Sequence, residues 1–260
     1  MSYLNDLFSL DGKVAVAIGA GGVLAGAMAD ALGGAGAKVA VLDLNGGAAD
    51  ARASAIREAT GGEALGMAVD ATSDEDLRKA LGQVLSLWGR VDILLNAPGI
   101  NSGTPFFEIT EEEWDRIMTV NLKSMFLACK IFGQEMVDRG EGGSIINISS
   151  ASSGPPLSKV FTYSITKAGV NNMTQFLARE FASHSVRVNA VAPGFFPAEQ
   201  NRKLLTEERT ASIMGHTPMA RFGEAEELAG AVVWLASAKA SGFVTGAVIR
   251  VDGGFTAMTI

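Results

Sequence analysis

The sequence predicts a doubly wound α/β fold: one domain with a parallel sheet of about seven strands and helices on both faces. Two observations predict it. Seven short runs rich in Val, Ile, Ala and Leu are mostly apolar along their whole length, as strands buried on both faces are. Between them lie amphipathic stretches of helical length, so strand and helix units alternate along the chain.

The strand runs are 14–18, 38–42, 64–69, 93–96, 144–148, 187–191 and 247–251. The stretch 111–137 starts with glutamates and carries Trp114, Ile117, Met118, Leu122, Met125 and Phe126 at helical spacing. Val170, Met173, Phe176, Leu177 and Phe181 do the same for 164–182, and Leu228, Val232, Val233 and Leu235 for 224–236. No linker or repeat divides the 260 residues, so the domain is 1–260. One long stretch, 194–223, lacks strand character. It is read as a substrate lid, because loops of that length are usually functional. A plain helical insertion is the other reading.

The net charge is −7, with Lys and Arg scattered, which argues against nucleic acid or an anionic membrane as partner. The uncharged run 14–29 is shorter than the roughly 20 residues of a membrane-spanning helix, and glycines interrupt it. Residues 1–13 have no basic segment followed by an apolar run, so no signal peptide is read and a cytoplasmic location is expected. Cys129 is the single cysteine, which rules out an intramolecular disulfide and suggests a packing role. The two histidines, His184 and His216, show no ligand spacing, so no metal site is expected.

The first strand run leads into Gly19, Ala20, Gly21, Gly22, Val23 and Leu24, and then into a helix through about residue 32. Glycines in such a turn let the backbone approach a pyrophosphate, and the helix start offers free N–H groups. The second strand run is followed by Asp43 and Leu44. A carboxylate there can accept hydrogen bonds from a ribose 2′-hydroxyl and repel a 2′-phosphate, which favours NAD over NADP. A solvated carboxylate in a turn is the other reading. Asp70 and Ala71 follow the third strand run and are candidates for an adenine contact, or for a turn.

Ser149 and Ser150 follow the run 144–148, and Tyr163 and Lys167 stand four apart at the start of the next helix. Residues four apart share a helix face. Carbonyl reduction needs a proton donor for the developing alkoxide, and a tyrosine of pKa about 10 needs help near neutral pH. A neighbouring ammonium favours the phenolate, and a serine hydroxyl can hold the substrate oxygen.

With Ser150, Tyr163-x-x-x-Lys167, the glycine turn, Asn121 and Pro193-Gly194, the chain resembles the short-chain dehydrogenase/reductase family from Lys13 to Gly254. The resemblance implies a Rossmann-type fold and an NAD-dependent hydride transfer between a secondary alcohol and a ketone. It implies that Tyr163 is the acid/base, that Lys167 lowers its pKa and holds the nicotinamide ribose, and that Ser150 orients the carbonyl. Asn121 matches the family asparagine that bends a helix and anchors a proton-relay water. Asn96, Ala97 and Pro98 match the segment beside the adenosine ribose, and Pro193, Gly194 and Phe196 the segment at the carboxamide. The last strand and its Asp-Gly-Gly turn imply a homotetramer. Glycines that the family places at the positions of Val23 and Ala25 are absent.

Within the family the chain is most similar to sugar-acid oxidoreductases, those of mannonate (fructuronate) and those like gluconate 5-dehydrogenase. The likeness rests on Gly21-Gly22-Val23-Leu24, the segment 193–202 and the segment 216–223. Ser152, Phe195, Asn201, Arg202 and His216 are the candidate substrate contacts, and a cation there suits a carboxylate. A solvated Arg202 and a His216 packed in a turn are the alternative. The segment 101–107 carries no basic residue, which leaves a neutral polyol open. The other candidate functions are a 3-oxoacyl-thioester reductase and a non-catalytic NAD-binding protein.

Overall fold

A computed structural model of the chain describes residues 2–197 and 206–258. Seven strands form one sheet: β1 (Val14–Ile18), β2 (Lys38–Asp43), β3 (Ala64–Ala68), β4 (Ile93–Asn96), β5 (Gly143–Ile148), β6 (Val186–Pro193) and β7 (Val248–Val251). All pairings are parallel and the order is β3-β2-β1-β4-β5-β6-β7. Every strand lies within two residues of its expected bounds.

The apolar strands serve two cores because successive side chains point to opposite faces. Ala15, Ala17, Val39, Val41, Ile93, Leu95, Ile146 and Val191 face one layer of helices. That layer holds α2 (Val23–Gly34), α3 (Gly46–Thr60) and α9 (Ala229–Ala236), which contribute Met28, Leu32, Ile56, Val232 and Leu235. Val14, Val16, Ile18, Leu42, Leu94, Ile145 and Val188 face the other. There α4 (Asp74–Trp88), α6 (Ser124–Arg139) and α7 (Phe161–Phe181) contribute Leu77, Val84, Phe132, Met136 and Ala178. Short α1 (Tyr3–Phe8), α5 (Glu111–Met118), α8 (Glu207–His216) and α10 (Ala238–Ser241) complete the helices among the described residues.

Two predicted helices differ in detail. The stretch expected as one helix over 111–137 is broken into α5 and α6 by a π-helical turn at Thr119–Lys123. The fully buried Asn121 sits in that turn and binds backbone outside its own helix, as described below. The helix expected from 224 begins instead with a 3-10 turn, Ala225–Leu228, closed by a reciprocal cap between Glu224 and Glu227. The stretch 194–223 contains α8, so part of it is helical.

The amino ends of the central strands are tied together by Asp92. Its carboxylate accepts from Val14 N–H at 3.0 Å and from both Nε and Nη2 of Arg90, at 2.8 and 2.6 Å. Lys13 and Arg139 lie within 3.6 Å. Burial opposes ionisation most strongly. The Arg90 and Val14 hydrogen bonds and the Lys13 and Arg90 charges together outweigh it, so the carboxyl titrates below its ordinary value. A depressed folded-state pKa contributes stability that is present above about pH 4 and is lost as pH falls through the folded value. Asp92→Ala is expected to cost about 2–3 kcal/mol at pH 7 in urea denaturation, and less below pH 4. Equal losses at pH 7 and pH 3 would contradict this account.

Candidate active site

Chain order places a crevice at the carboxyl edge of the sheet. From β1 the next two strands are laid to one side, and β4 to β7 to the other, so the connections after β1 and β4 part from each other. The turn after β1 lies against the segment after β4. Gly19 has φ +76°, donates to Leu42 O at 2.7 Å, and a Cβ on it would lie 3.0 Å from Ala97 O. A Cβ on Gly21 would lie 2.9 Å from both the Asp43 carboxyl and Ala48 Cβ. The turn therefore needs glycine at both positions, for its conformation and for lack of room.

Helices α3, α4, α5 and α8 are capped by the side chains of Asn45, Ser73, Thr110 and Thr206. Helix α2 begins at Gly22 with no side-chain cap. Its first-turn N–H groups face the crevice edge without an intrahelical partner, the arrangement that binds phosphate. Val23 and Leu44 stand exposed beside it. Asp43 holds this turn as well: Oδ2 accepts from Gly21 N–H at 3.0 Å and Oδ1 from Asn45 N–H at 2.9 Å. Asp70 Oδ1 accepts from the backbone and hydroxyl of Thr72, with Ala71 half-buried between them, so Asp70 makes the turn that the sequence left open.

The chemistry-bearing side chains converge from β5 and α7. Ser150 follows β5 in extended conformation, and its Oγ accepts from Ser152 N–H at 3.1 Å. Tyr163 and Lys167 lie on one face of α7, with Lys167 Nζ 5.6 Å from the centre of the tyrosine ring. Lys167 is buried and donates to Ile148 O at 2.7 Å. Asn121 clamps the segment after β4: its Oδ1 accepts from Ile100 N–H at 2.7 Å, and its Nδ2 donates to Ile100 O at 2.8 Å and to Thr166 Oγ1 at 3.3 Å. A Cβ on Gly99 would sit 3.6 Å from Lys167 Nζ and 3.8 Å from Asn121 Oδ1, so glycine keeps a gap open beside the lysine.

Burial pushes Lys167 down to about 8. Burial also pushes Tyr163 up, with the Ser150 hydroxyl acting in the opposite direction. The expected depression of the phenol by Lys167 is not what the folded chain produces. Both groups lose hydration, and the lysine is spent on the Ile148 carbonyl.

Other expectations are also corrected. The Asn96 side chain points into the core, donating to Met125 O and Asn147 Oδ1, so only its backbone can face a nucleotide. Phe196 is buried among core residues, so its ring packs the fold and leaves the backbone of Pro193 and Gly194 at the crevice. Ser152 is buried with its hydroxyl on Ser150 Oγ, a support for that serine and not a surface for substrate. His216 is exposed, with its ring 4.8 Å from Phe255, and Phe195 lies 5.0 Å from the same ring. Asn201 and Arg202 lie outside the described residues. Ile100, Thr166 and Arg209, whose Nη2 donates to Ser158 O at 3.2 Å, are neighbours that sequence reasoning missed. No sequence pattern announces a partner met through a backbone carbonyl.

Residues 19–256 match the family model described as enoyl-(acyl carrier protein) reductase. A short-chain type dehydrogenase/reductase from Mycobacterium marinum is similar in structure, with TM-score 0.92 and 36% identity over 97% of this chain and 99% of that one. A Haemophilus influenzae protein described provisionally as a D-mannonate oxidoreductase, with bound NAD, gives 0.92 and 35% over 98% and 99%. A gluconate 5-dehydrogenase from Burkholderia cenocepacia, in complex with NADP and tartrate, gives 0.94 and 32% over 99% and 100%. No described helix is long and apolar enough to cross a membrane, and no group of metal-ligating side chains occurs among the described residues.

Tyr3 and Tyr163 are the only tyrosines, which makes the phenol readable by absorbance. In nucleotide-free protein, the 295 nm signal lost in Tyr163→Phe is expected to titrate above pH 10. A midpoint below 9 would mean that the lysine charge outweighs burial.

Proposed function

Because the chain belongs to the short-chain dehydrogenase/reductase family, we propose that it is an NAD(H)-dependent oxidoreductase interconverting a secondary alcohol and a ketone on a sugar acid or polyol. The convergence of Ser150, Tyr163 and Lys167 at the carboxyl edge of β5 carries the reading. The residues fit a nicotinamide dinucleotide. The uncapped start of α2 and the glycine turn suit the pyrophosphate, Asp43 the adenosine ribose, and the Lys167 ammonium the nicotinamide ribose. Bound there, the dinucleotide supplies or accepts the hydride at the reacting carbon.

The protein's own groups handle the proton. Ser150 Oγ holds the substrate oxygen by a hydrogen bond. In the reducing direction the Tyr163 hydroxyl gives its proton to that oxygen as the new C–H bond forms, leaving an alcohol and a phenolate. In the oxidising direction the phenolate takes the proton back. Lys167 keeps its charge below about pH 8 and stabilises the phenolate when it forms. The gap at Gly99, beside Lys167 and Asn121, gives a water room to return the proton from solvent.

Asp43 supports NAD over NADP, since a 2′-phosphate would meet a carboxylate already held against Gly21 and Asn45. Similarity to a gluconate 5-dehydrogenase and a mannonate-type oxidoreductase supports the sugar acid. The absence of a cation from 101–107 keeps the polyol in the proposal. The description of the matched family model favours a second reading, a 3-oxoacyl-thioester reductase. A homotetramer is part of the proposal, supported by the exposed aromatic side chains Phe106, Phe107, Phe161 and Phe176, and light scattering would measure it.

The test is NADH formation or consumption against sugar acids, polyols and 3-oxoacyl thioesters, repeated with NADP(H). Turnover of a sugar acid or polyol, with NAD(H) preferred, is the expected result. Turnover confined to thioesters would move the assignment to the second reading. Tyr163→Phe is expected to lower kcat by about a thousandfold while leaving NAD(H) affinity intact. Asp43→Ala is expected to cut the NAD-to-NADP preference by roughly tenfold, and an unchanged ratio would remove Asp43 from the argument.

A further inference from the structure

The carboxyl-terminal turn after β7 touches both roots of the segment 194–223. Asp252 builds it, accepting from Gly254 N–H and Thr256 N–H at 3.0 Å each. Gly253 O accepts from Met219 N–H at 3.2 Å, on the returning root. The Phe255 ring stands 5.0 Å from Phe195 on the outgoing root and 4.8 Å from His216 at the end of α8, edge-on to both. The two roots also meet directly, through Gly223 N–H on Phe195 O at 2.9 Å.

Helix α8 thus rests on a support at each end. Ten residues give it a length of about 15 Å. At its start Arg209 donates to Ser158 O, in the loop that joins Ser150 to Tyr163. At its end His216 lies on Phe255. Ile213 is its single fully buried side chain. Beneath the roots lies a cavity of about 400 Å³ lined by Phe195, Met219, Arg221 and Arg250, so the helix end does not sit on solid core.

We propose that Phe255 is a positioning residue for the substrate site: its ring fixes the carboxyl end of α8 against the outgoing root, and so sets the helix over the loop between Ser150 and Tyr163. The assignment rests on the lid reading of 194–223 and on the proposed dehydrogenase activity. Phe255 touches none of Ser150, Tyr163 or Lys167. It acts through α8, and its loss weakens substrate binding without reaching the nucleotide turn on the far side of the sheet.

Hydrogen exchange of the full-length protein, read peptide by peptide, tests this without needing a substrate. Each aromatic pair contributes about 1 kcal/mol, so Phe255→Ala is expected to speed exchange in 207–216 by about tenfold, with 161–181 unchanged and Phe255→Tyr restoring the wild-type rate. With a substrate from the panel, KM is expected to rise by a similar factor while NADH affinity, read by fluorescence, stays within about twofold. Unchanged exchange in 207–216 overturns the proposal. Exchange rising equally in 161–181 overturns it too, because the ring would then serve the fold as a whole. If no substrate in the panel is turned over, the proposed activity fails while the exchange result still decides the role of Phe255.

Discussion

The approach of the Gly19 turn to Ala97 is the constraint on which the rest depends. Successive strands leave β1 in one direction and β4 opens the other half of the sheet, so the two connections separate at the carboxyl edge. A crevice follows from chain order alone. What makes it usable is close contact at its floor, where Gly19 leaves no room for a side chain and Asp43 pins the turn through Gly21 N–H. A turn held in this way presents N–H groups from α2 at fixed positions and needs no rearrangement to receive a phosphate.

The reaction centre is fixed by backbone as much as by side chains. The π turn at Asn121 costs helix regularity and gains a two-bond clamp on Ile100, which holds the segment after β4 beside Lys167. Lys167 is held in turn by the last carbonyl of β5. These contacts join β4, β5, α7 and the π turn into one wall. The buried amides of Asn96 and Asn147 stand behind it, with Asn147 Nδ2 donating to Thr174 of α7 at 3.0 Å. Burial of the tyrosine and lysine is the electrostatic consequence: one is pushed up and the other down, so each sits in its uncharged form more readily than in water.

The opposite edge of the sheet serves stability. Asp92 gathers Arg90, Lys13 and Arg139 around Val14 N–H, far from the crevice, at the amino ends of β1 and β4. Charge there is compensated by charge. At the crevice, Lys167 has no acidic partner among the described residues, and a buried cation of that kind is suited to an external ligand.

The sequence by itself determined the strands, their parallel arrangement and the reaction centre. Uninterrupted apolar runs leave no polar face to expose, and Ser150, Tyr163 and Lys167 stand at spacings set by one strand end and one helix face. It also located the glycine turn and Asp43, since both are local to a strand end. Only the tertiary structure decided which way Asn96 and Phe196 face, because strand and loop residues alike can turn to the core. It decided that Asn121 breaks its helix to hold Ile100, that Asp70 serves a turn, and that Phe255 reaches His216 and Phe195. Those outcomes depend on partners distant along the chain or met through backbone, and local periodicity carries no record of either.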